Sequence, residues 1–161
     1  MALYYGVVSQ QALLEQAHQV CDVLGHGIKK TAVAQVMGTC AAETLCAQAR
    51  DKTLYGAGAG VAQVDEGTFD WLKGKYQNDK DVAPLLKDAF NVDLSKVQYR
   101  ELDFSPLLCL IFCRLRYRTV TAPIPDTHEG RAQYWKDHYN TEDGKGSPEE
   151  YLERCRHCGV Q

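Results

Sequence analysis

The sequence predicts a mainly α-helical fold with one small glycine-rich β-hairpin. Apolar residues recur at helical spacing in several segments, and residues suited to capping precede them. Residues 54–65, LYGAGAGVAQVD, carry three alternating glycines, which oppose a helix and favour a hairpin or loop. At 161 residues, 45% of them hydrophobic, the chain is sized for one compact domain, which we predict over 1–161.

The predicted helices follow one another along the chain with short connections. The first begins at Ser9, and Thr31 is suited to cap a second one that extends to about Arg50. Serine before proline marks two later helix starts, at 105–106 and 147–148, because proline fits the first helical position. Further helices are predicted over 66–76, 80–90, 106–117 and 129–139.

Charge and hydropathy patterning argue against two classes of partner. A formal net charge of −3 provides no overall positive field for nucleic acid or for an anionic membrane. The N-terminus lacks a basic region followed by a continuous apolar stretch, and no run of about 18 apolar residues occurs. We therefore expect synthesis in the cytoplasm without a signal peptide, and no stable insertion into a membrane.

The sequence contains seven cysteines, an odd number, and no recognisable signal peptide. Together these two features predict reduced and mostly buried thiols. They are Cys21, Cys40, Cys46, Cys109, Cys113, Cys155 and Cys158. Cys155-Arg156-His157-Cys158 is one half of a zinc clip that lacks a neighbouring second half, although Cys109 and Cys113 could complete it. We expect no metal and no cofactor.

Glu43 is the first candidate for chemistry. On the second predicted helix, Val36, Cys40, Glu43 and Ala47 follow one another at helical spacing, so the carboxyl group lies at the edge of an apolar stripe. Partial burial raises the pKa of a carboxyl group, which keeps a proton available near neutral pH. The alternative is a glutamate at the interface whose carboxylate points to water.

A second motif follows Glu43 after 15 to 22 residues. It reads Gly58-Ala59-Gly60-Val61-Ala62-Gln63-Val64-Asp65, and with Glu43 it resembles the goose-type lysozymes and their relatives, the lytic transglycosylases. Those families place a catalytic glutamate near the end of a helix and then a Gly-Leu-Met-Gln element in a glycine-rich hairpin, which goose-type enzymes continue as Gln-Val-Asp. Here Val61 and Ala62 replace Leu-Met, while Gly60 and the Gln-Val-Asp match.

The resemblance implies a lysozyme-like α+β fold that binds a peptidoglycan glycan strand between the helix of Glu43 and the hairpin. Glu43 would be the general acid of a muramidase and protonate the oxygen leaving N-acetylmuramic acid. Asp65, or alternatively Asp51, would be the second carboxylate, and Gly60 and Gln63 would contact the sugar. If a carboxylate orients water, the product is a reducing sugar. If the muramic 6-hydroxyl attacks instead, the product is the 1,6-anhydro sugar of a lytic transglycosylase.

Residues 131–146 are similar to the closing segment of many phage and prophage proteins. Within them, Tyr139-Asn140 resembles a Tyr-Asn pair of the same lysozyme and transglycosylase families, in which the tyrosine approaches the catalytic glutamate. The families continue with Ala-Gly, whereas this chain has Thr141-Glu142. Trp135 lies four residues before Tyr139, so on a helix the two rings would share a face and either stack on sugars or pack in the core. Trp135, Tyr139 and Asn140 are thus candidate substrate-binding residues.

The resemblance leaves the biological setting open. A bacteriophage endolysin or virion-associated muramidase would reach periplasmic peptidoglycan by means of a holin, a virion or a secretion system. Two alternatives remain at this point: a Cys–His hydrolase that cuts wall peptides, and a non-catalytic phage structural or wall-binding protein with the same fold.

Overall fold

A computed structural model describes residues 2–50, 58–141 and 144–161. In these ranges the chain is mainly α-helical, as the sequence predicts. The α-helices are α1 (Gln10–Leu24), α2 (Ala32–Thr44), α3 (Glu66–Tyr76), α4 (Val82–Phe90), α5 (Pro106–Arg118), α6 (His128–Trp135) and α7 (Pro148–Cys158). Two 3₁₀ turns cover Leu94–Lys96 and Tyr99–Asp103, and a π-helical turn covers Lys136–Asn140.

The predicted β-hairpin is wrong for the part of the chain that the structure describes. We call residues 58–64 the glycine turn. It holds a single antiparallel bridge, in which Ala59 and Val64 exchange backbone hydrogen bonds of 2.9 and 3.0 Å. The pairing cannot extend on the C-terminal side because Asp65, the next residue, is already the N-cap of α3.

Helix α2 is the central helix of the fold, and it packs against α1, α5, α6 and α7. Small residues make this possible, since a Cβ on Gly38 would lie 1.8 Å from the hydroxyl oxygen of Tyr151 on α7. The helix ends at Thr44, short of the predicted end near Arg50, because Leu45, Cys46 and Ala47 adopt left-handed backbone angles, with φ of 52°, 53° and 74°.

Helix starts follow the predicted caps closely. The side chains of Ser9, Ser105 and Ser147, predicted as caps, each accept a hydrogen bond from a backbone N–H in the first turn of the helix that follows. Asp65, predicted as a catalytic carboxylate, caps α3 in the same way. Thr31 does not cap α2 in this way, because its hydroxyl donates instead to the carbonyl oxygen of Ile124, at 3.2 Å. The helix predicted over 129–139 is present, but its winding changes from α to π after Trp135.

The side chains of the hydrophobic core include most of the cysteines. All seven are free thiols, and six of them are buried, as the sequence predicts for most of them. Trp71 is 48% exposed, and the guanidinium of Arg116 lies 5.3 Å from its ring centroid. It lies outside the stripe of Phe69, Leu72 and Tyr76 that α3 buries. Among the described helices, none is both long and apolar enough to cross a membrane.

Candidate active site at the end of helix α2

Glu43 is the penultimate residue of α2 and is partly buried, whereas Ala42 and Thr44 on either side are buried. The left-handed residues that follow turn the chain sharply away at this point. The hydroxyl of Thr44 donates a 2.7 Å hydrogen bond to the carbonyl oxygen of Val61. The end of the helix that carries Glu43 is thereby tied directly to the glycine turn.

The carboxyl group of Glu43 has an altered proton affinity. Burial raises the pKa of Glu43 to about 7, because the ionised form loses hydration. Two neighbours act in the opposite direction: the side chain of Trp135, as a hydrogen-bond donor, and the charge of Arg154 both lower this pKa. Burial outweighs them, so Glu43 keeps its proton to a higher pH than an ordinary glutamate does.

Trp135 lies beside this carboxyl group in the interior. Its ring is only 2% exposed and packs against Tyr151, with ring centroids 5.6 Å apart, and a Cβ on Gly146 would lie 2.5 Å from its Cη2 atom. No partner satisfies the geometry of a hydrogen bond to its Nε1 among the described residues, so its effect on Glu43 is that of a nearby, imperfectly aligned donor. A ring enclosed in this way cannot stack on a sugar.

Among the described residues, Arg154 is the positive charge that lowers the pKa of Glu43. Its Nη1 atom donates a 2.9 Å hydrogen bond to the carbonyl oxygen of Ala42, which fixes α7 against the last turn of α2. Within the described parts of the chain, Glu43 forms no ion pair shorter than 4 Å. Arg154 therefore moderates the pKa of Glu43 without locking the carboxylate in a salt bridge.

Tyr139 connects the π-helical turn to the glycine turn. Its hydroxyl donates a 2.7 Å hydrogen bond to the carbonyl oxygen of Ala62, and its ring stacks on that of Tyr117 at a centroid distance of 5.4 Å. Burial raises the pKa of Tyr139 well above its ordinary value, and the charge of Glu43 is among the smaller causes that add to this. The structure thus brings Glu43, Tyr139 and the glycine turn together.

Gly60 and Gln63 shape the glycine turn. Gly60 is buried, with φ of +76°, and its N–H donates 2.9 Å to Oδ1 of Asp103, so packing accounts for the glycine. Gln63, partly buried, donates from Nε2 to the carbonyl oxygen of Gly60 and to the hydroxyl of Tyr5. Its Oε1 atom makes no hydrogen bond within the described residues and keeps its capacity to accept one.

Asp65 and Asn140 have local structural roles. Asp65 is exposed, and its two carboxyl oxygens accept from the N–H and the hydroxyl of Thr68, at 2.8 and 2.7 Å. It is not among the groups that shift the pKa of Glu43. Asn140 accepts from Nζ of Lys136 at 2.8 Å, within the π-helical turn. Asp51 lies outside the described residues.

Sequence reasoning missed three residues that build the site: Thr44, Asp103 and Arg154. Each acts through a contact to a backbone group of a distant segment, and no motif announces such a contact. Within the described ranges, no three His, Cys, Asp or Glu side chains are grouped so that they could hold a metal ion. The described residues place a carboxyl group of raised pKa, that of Glu43, beside hydrogen-bonding groups, a combination that can transfer a proton.

No protein-family model matches the chain, and no curated protein and no solved structure shows significant similarity to it.

Proposed function

We propose that this protein cleaves the glycan strand of peptidoglycan between N-acetylmuramic acid and N-acetylglucosamine, with Glu43 as the general acid. The observation that carries the proposal is the buried position of the Glu43 carboxyl at the end of α2, beside the glycine turn; this burial raises its pKa to about 7. A carboxylic acid protonated near neutral pH suits donation to a glycosidic oxygen. The match of Gly60 and Gln63-Val64-Asp65 to goose-type lysozymes supports the same reading.

In the first step, protonated Glu43 transfers its proton to the bridging oxygen as the bond from that oxygen to C1 of N-acetylmuramic acid breaks. Positive charge develops on C1 and on the ring oxygen. Glu43 is left as a carboxylate, which is now suited to accept a proton in the second step. Tyr139 holds the glycine turn, through Ala62, at a fixed position next to this group.

The second step has two routes. Water adds a hydroxyl to C1 and returns a proton to Glu43, giving a reducing sugar; or the 6-hydroxyl of N-acetylmuramic acid attacks C1 and returns its proton, giving a 1,6-anhydro sugar. Hydrolysis with Asp65 as the second carboxylate requires that group to leave its bonds with Thr68. The cap therefore favours the lytic transglycosylase route, which needs no second carboxylate.

Purified protein and Glu43→Gln, incubated with isolated peptidoglycan, test the proposal. The wild-type protein is expected to release muropeptides and Glu43→Gln to lose at least about 100-fold in rate, since general acid catalysis contributes roughly 10²–10⁴. Glu15→Gln, at an exposed position on α1, is the matched control and keeps the wild-type rate. Mass spectrometry separates the two products, because the anhydro sugar is lighter by one water. Equal release by wild type and Glu43→Gln overturns the acid assignment.

A further inference from the structure

An N-terminal turn lies against the end of the candidate site. The N–H of Tyr4 donates a 2.9 Å hydrogen bond to the carbonyl oxygen of Ala47, and the N–H of Val7 donates to the carbonyl oxygen of Tyr4 at 3.2 Å. Ala47 is the last of the left-handed residues that follow α2. The turn formed by residues 4–7 is thus attached to the segment that follows Glu43.

The same turn contacts two further segments. The hydroxyl of Tyr5 accepts a 3.2 Å hydrogen bond from Nε2 of Gln63 in the glycine turn. A Cβ on Gly6 would lie 2.4 Å from the carbonyl oxygen of Phe104, so the backbones of these two residues are in close contact. The turn of residues 4–7 therefore contacts the glycine turn through Tyr5 and the backbone of Phe104 through Gly6.

These contacting backbone segments carry two exposed aromatic side chains and one that is partly buried. Phe104 is 80% exposed and Tyr4 is 43% exposed, while Tyr5 is partly buried and its ring lies edge-on to that of Tyr4 at 6.5 Å. The 3₁₀ turn that precedes Phe104 already buries Leu102, so packing of this segment does not explain the aromatic residue. We call Tyr4, Tyr5 and Phe104 the aromatic rim.

The backbone at the junction of the rim and the glycine turn is strained. Tyr5 has φ of 60° and Gln63 has φ of 48°, and neither is a glycine. A left-handed backbone is unfavourable for residues other than glycine, and such strain is concentrated at functional positions. The side chains of these two strained residues are joined by a hydrogen bond, so the amide of Gln63 and the ring of Tyr5 are held together.

We propose that the aromatic rim is a second glycan-binding subsite, which stacks on pyranose rings of the strand beyond the bond cleaved at Glu43. The inference rests on the proposed function and names where the longer strand is held. A pyranose has an apolar C–H face for the rings of Tyr4 and Phe104 and hydroxyl edges for Oε1 of Gln63. The glycine turn joins the two regions, since it binds Tyr139 through Ala62 and Tyr5 through Gln63.

Calorimetric titration with peptide-free GlcNAc–MurNAc oligosaccharides tests this subsite. The Glu43→Gln protein is the parent, so that ligand is bound without being cut, and a tetrasaccharide and an octasaccharide are compared. Phe104→Ala in this parent is expected to weaken octasaccharide binding about tenfold, since a lost stacking contact is worth roughly 1–1.5 kcal/mol. The loss for the octasaccharide is larger than the loss for the tetrasaccharide, because only the longer ligand reaches the rim.

Ile28→Ala is the matched control, because Ile28 is 83% exposed and lies outside the rim, in the connection between α1 and α2. Octasaccharide affinity that is the same for Phe104→Ala and Ile28→Ala overturns the subsite, as does an equal loss for both ligand lengths. If wild-type protein still cleaves peptidoglycan in that case, the proposed function stands alone. If neither cleavage by the wild type nor binding by the parent is found, both proposals fall.

Discussion

The hydroxyl of Tyr139 donates a 2.7 Å hydrogen bond to the carbonyl oxygen of Ala62, and this bond joins the π-helical turn to the glycine turn beside Glu43. The ring is held from the other side by Tyr117. π-Helical turns inside helices are frequent at functional sites. The change to π winding after Trp135 places Tyr139 against the glycine turn, which also binds the end of α2.

Replacing Tyr139 by phenylalanine removes this donor and leaves the buried carbonyl of Ala62 without its partner. We expect a loss of about 1–3 kcal/mol in the free energy of unfolding, and a lower rate of muropeptide release per folded molecule. Tyr134→Phe is the control, because its hydroxyl donates to the carbonyl of Ala122, away from the glycine turn. Equal activity losses in the two variants would argue against a special role for Tyr139.

Gly60→Ala tests whether the glycine turn needs glycine for packing. A Cβ at Gly60 would lie 2.6 Å from Sγ of Cys109 and 2.5 Å from the carbonyl oxygen of Leu102, at φ of +76°. We expect a loss of about 2–4 kcal/mol of unfolding free energy in urea titrations, from strain and overpacking together. Gly74→Ala, on an exposed face of α3 with open space around it, should gain about 0.5–1 kcal/mol. A Gly60→Ala protein as stable as wild type contradicts this packing.

The pH dependence of cleavage follows from the raised pKa of Glu43, about 7. The acid form is the active one, so the rate of muropeptide release should fall above pH 7 and approach a tenfold loss per pH unit. The measurement is kcat/KM on isolated peptidoglycan between pH 5 and pH 9. A rate that stays constant from pH 6 to pH 9 is incompatible with Glu43 as the proton donor.

The same pKa predicts a stability difference between wild type and Glu43→Gln. A carboxyl whose pKa is raised from 4.5 in the unfolded chain to about 7 in the folded one stabilises the fold fully below pH 4.5, and this contribution is lost as the pH rises through 7. The free energy of unfolding of Glu43→Gln minus that of wild type should therefore be larger at pH 8 than at pH 4, by up to about 3 kcal/mol. Urea unfolding at both pH values measures the change; a constant difference between the proteins contradicts the shift.

Trp135→Phe tests the indole N–H as a neighbour of Glu43. The Trp135 side chain lowers the pKa of Glu43, so its replacement should raise that pKa and move the falling limb of the pH–rate profile to higher pH. The control is Trp71→Phe, because the exposed Trp71 contacts Arg116 and is not among the groups that shift the pKa of Glu43. A limb that moves to lower pH, or that does not move, refutes this role.

Local chemistry in the sequence predicts the helix starts well, because a capping side chain and the first turn that it caps are neighbours in the chain. The end of α2 was not predictable in this way. Leu45, Cys46 and Ala47 are not residues that favour left-handed angles, and contacts from distant segments hold them, such as the bond from the Tyr4 amide to Ala47. The hairpin prediction was wrong because Asp65, directly after Val64, caps α3. The chain therefore enters a helix where the second strand of a hairpin would have to continue.

In the candidate site, too, features set by neighbours in the chain could be predicted, and features set by distant segments could not. The spacing of apolar residues on α2 predicts the partial burial of Glu43, which the structure confirms. Its electrostatic neighbours could not be found, because Arg154 on α7 reaches the end of α2 only in the folded chain. Asp65 looked like a catalytic carboxylate in a motif, whereas its position directly before α3 gives it a capping role that the motif did not reveal.

The most direct measurement of the central claim is a carbon-13 NMR titration of the Glu43 side-chain carboxyl, assigned by the signal that disappears in Glu43→Gln. A midpoint near pH 7 is the predicted result, because burial opposes ionisation at the end of α2. A midpoint near the ordinary value of 4.5 would contradict it, since the group would then be a carboxylate at neutral pH with no proton to donate.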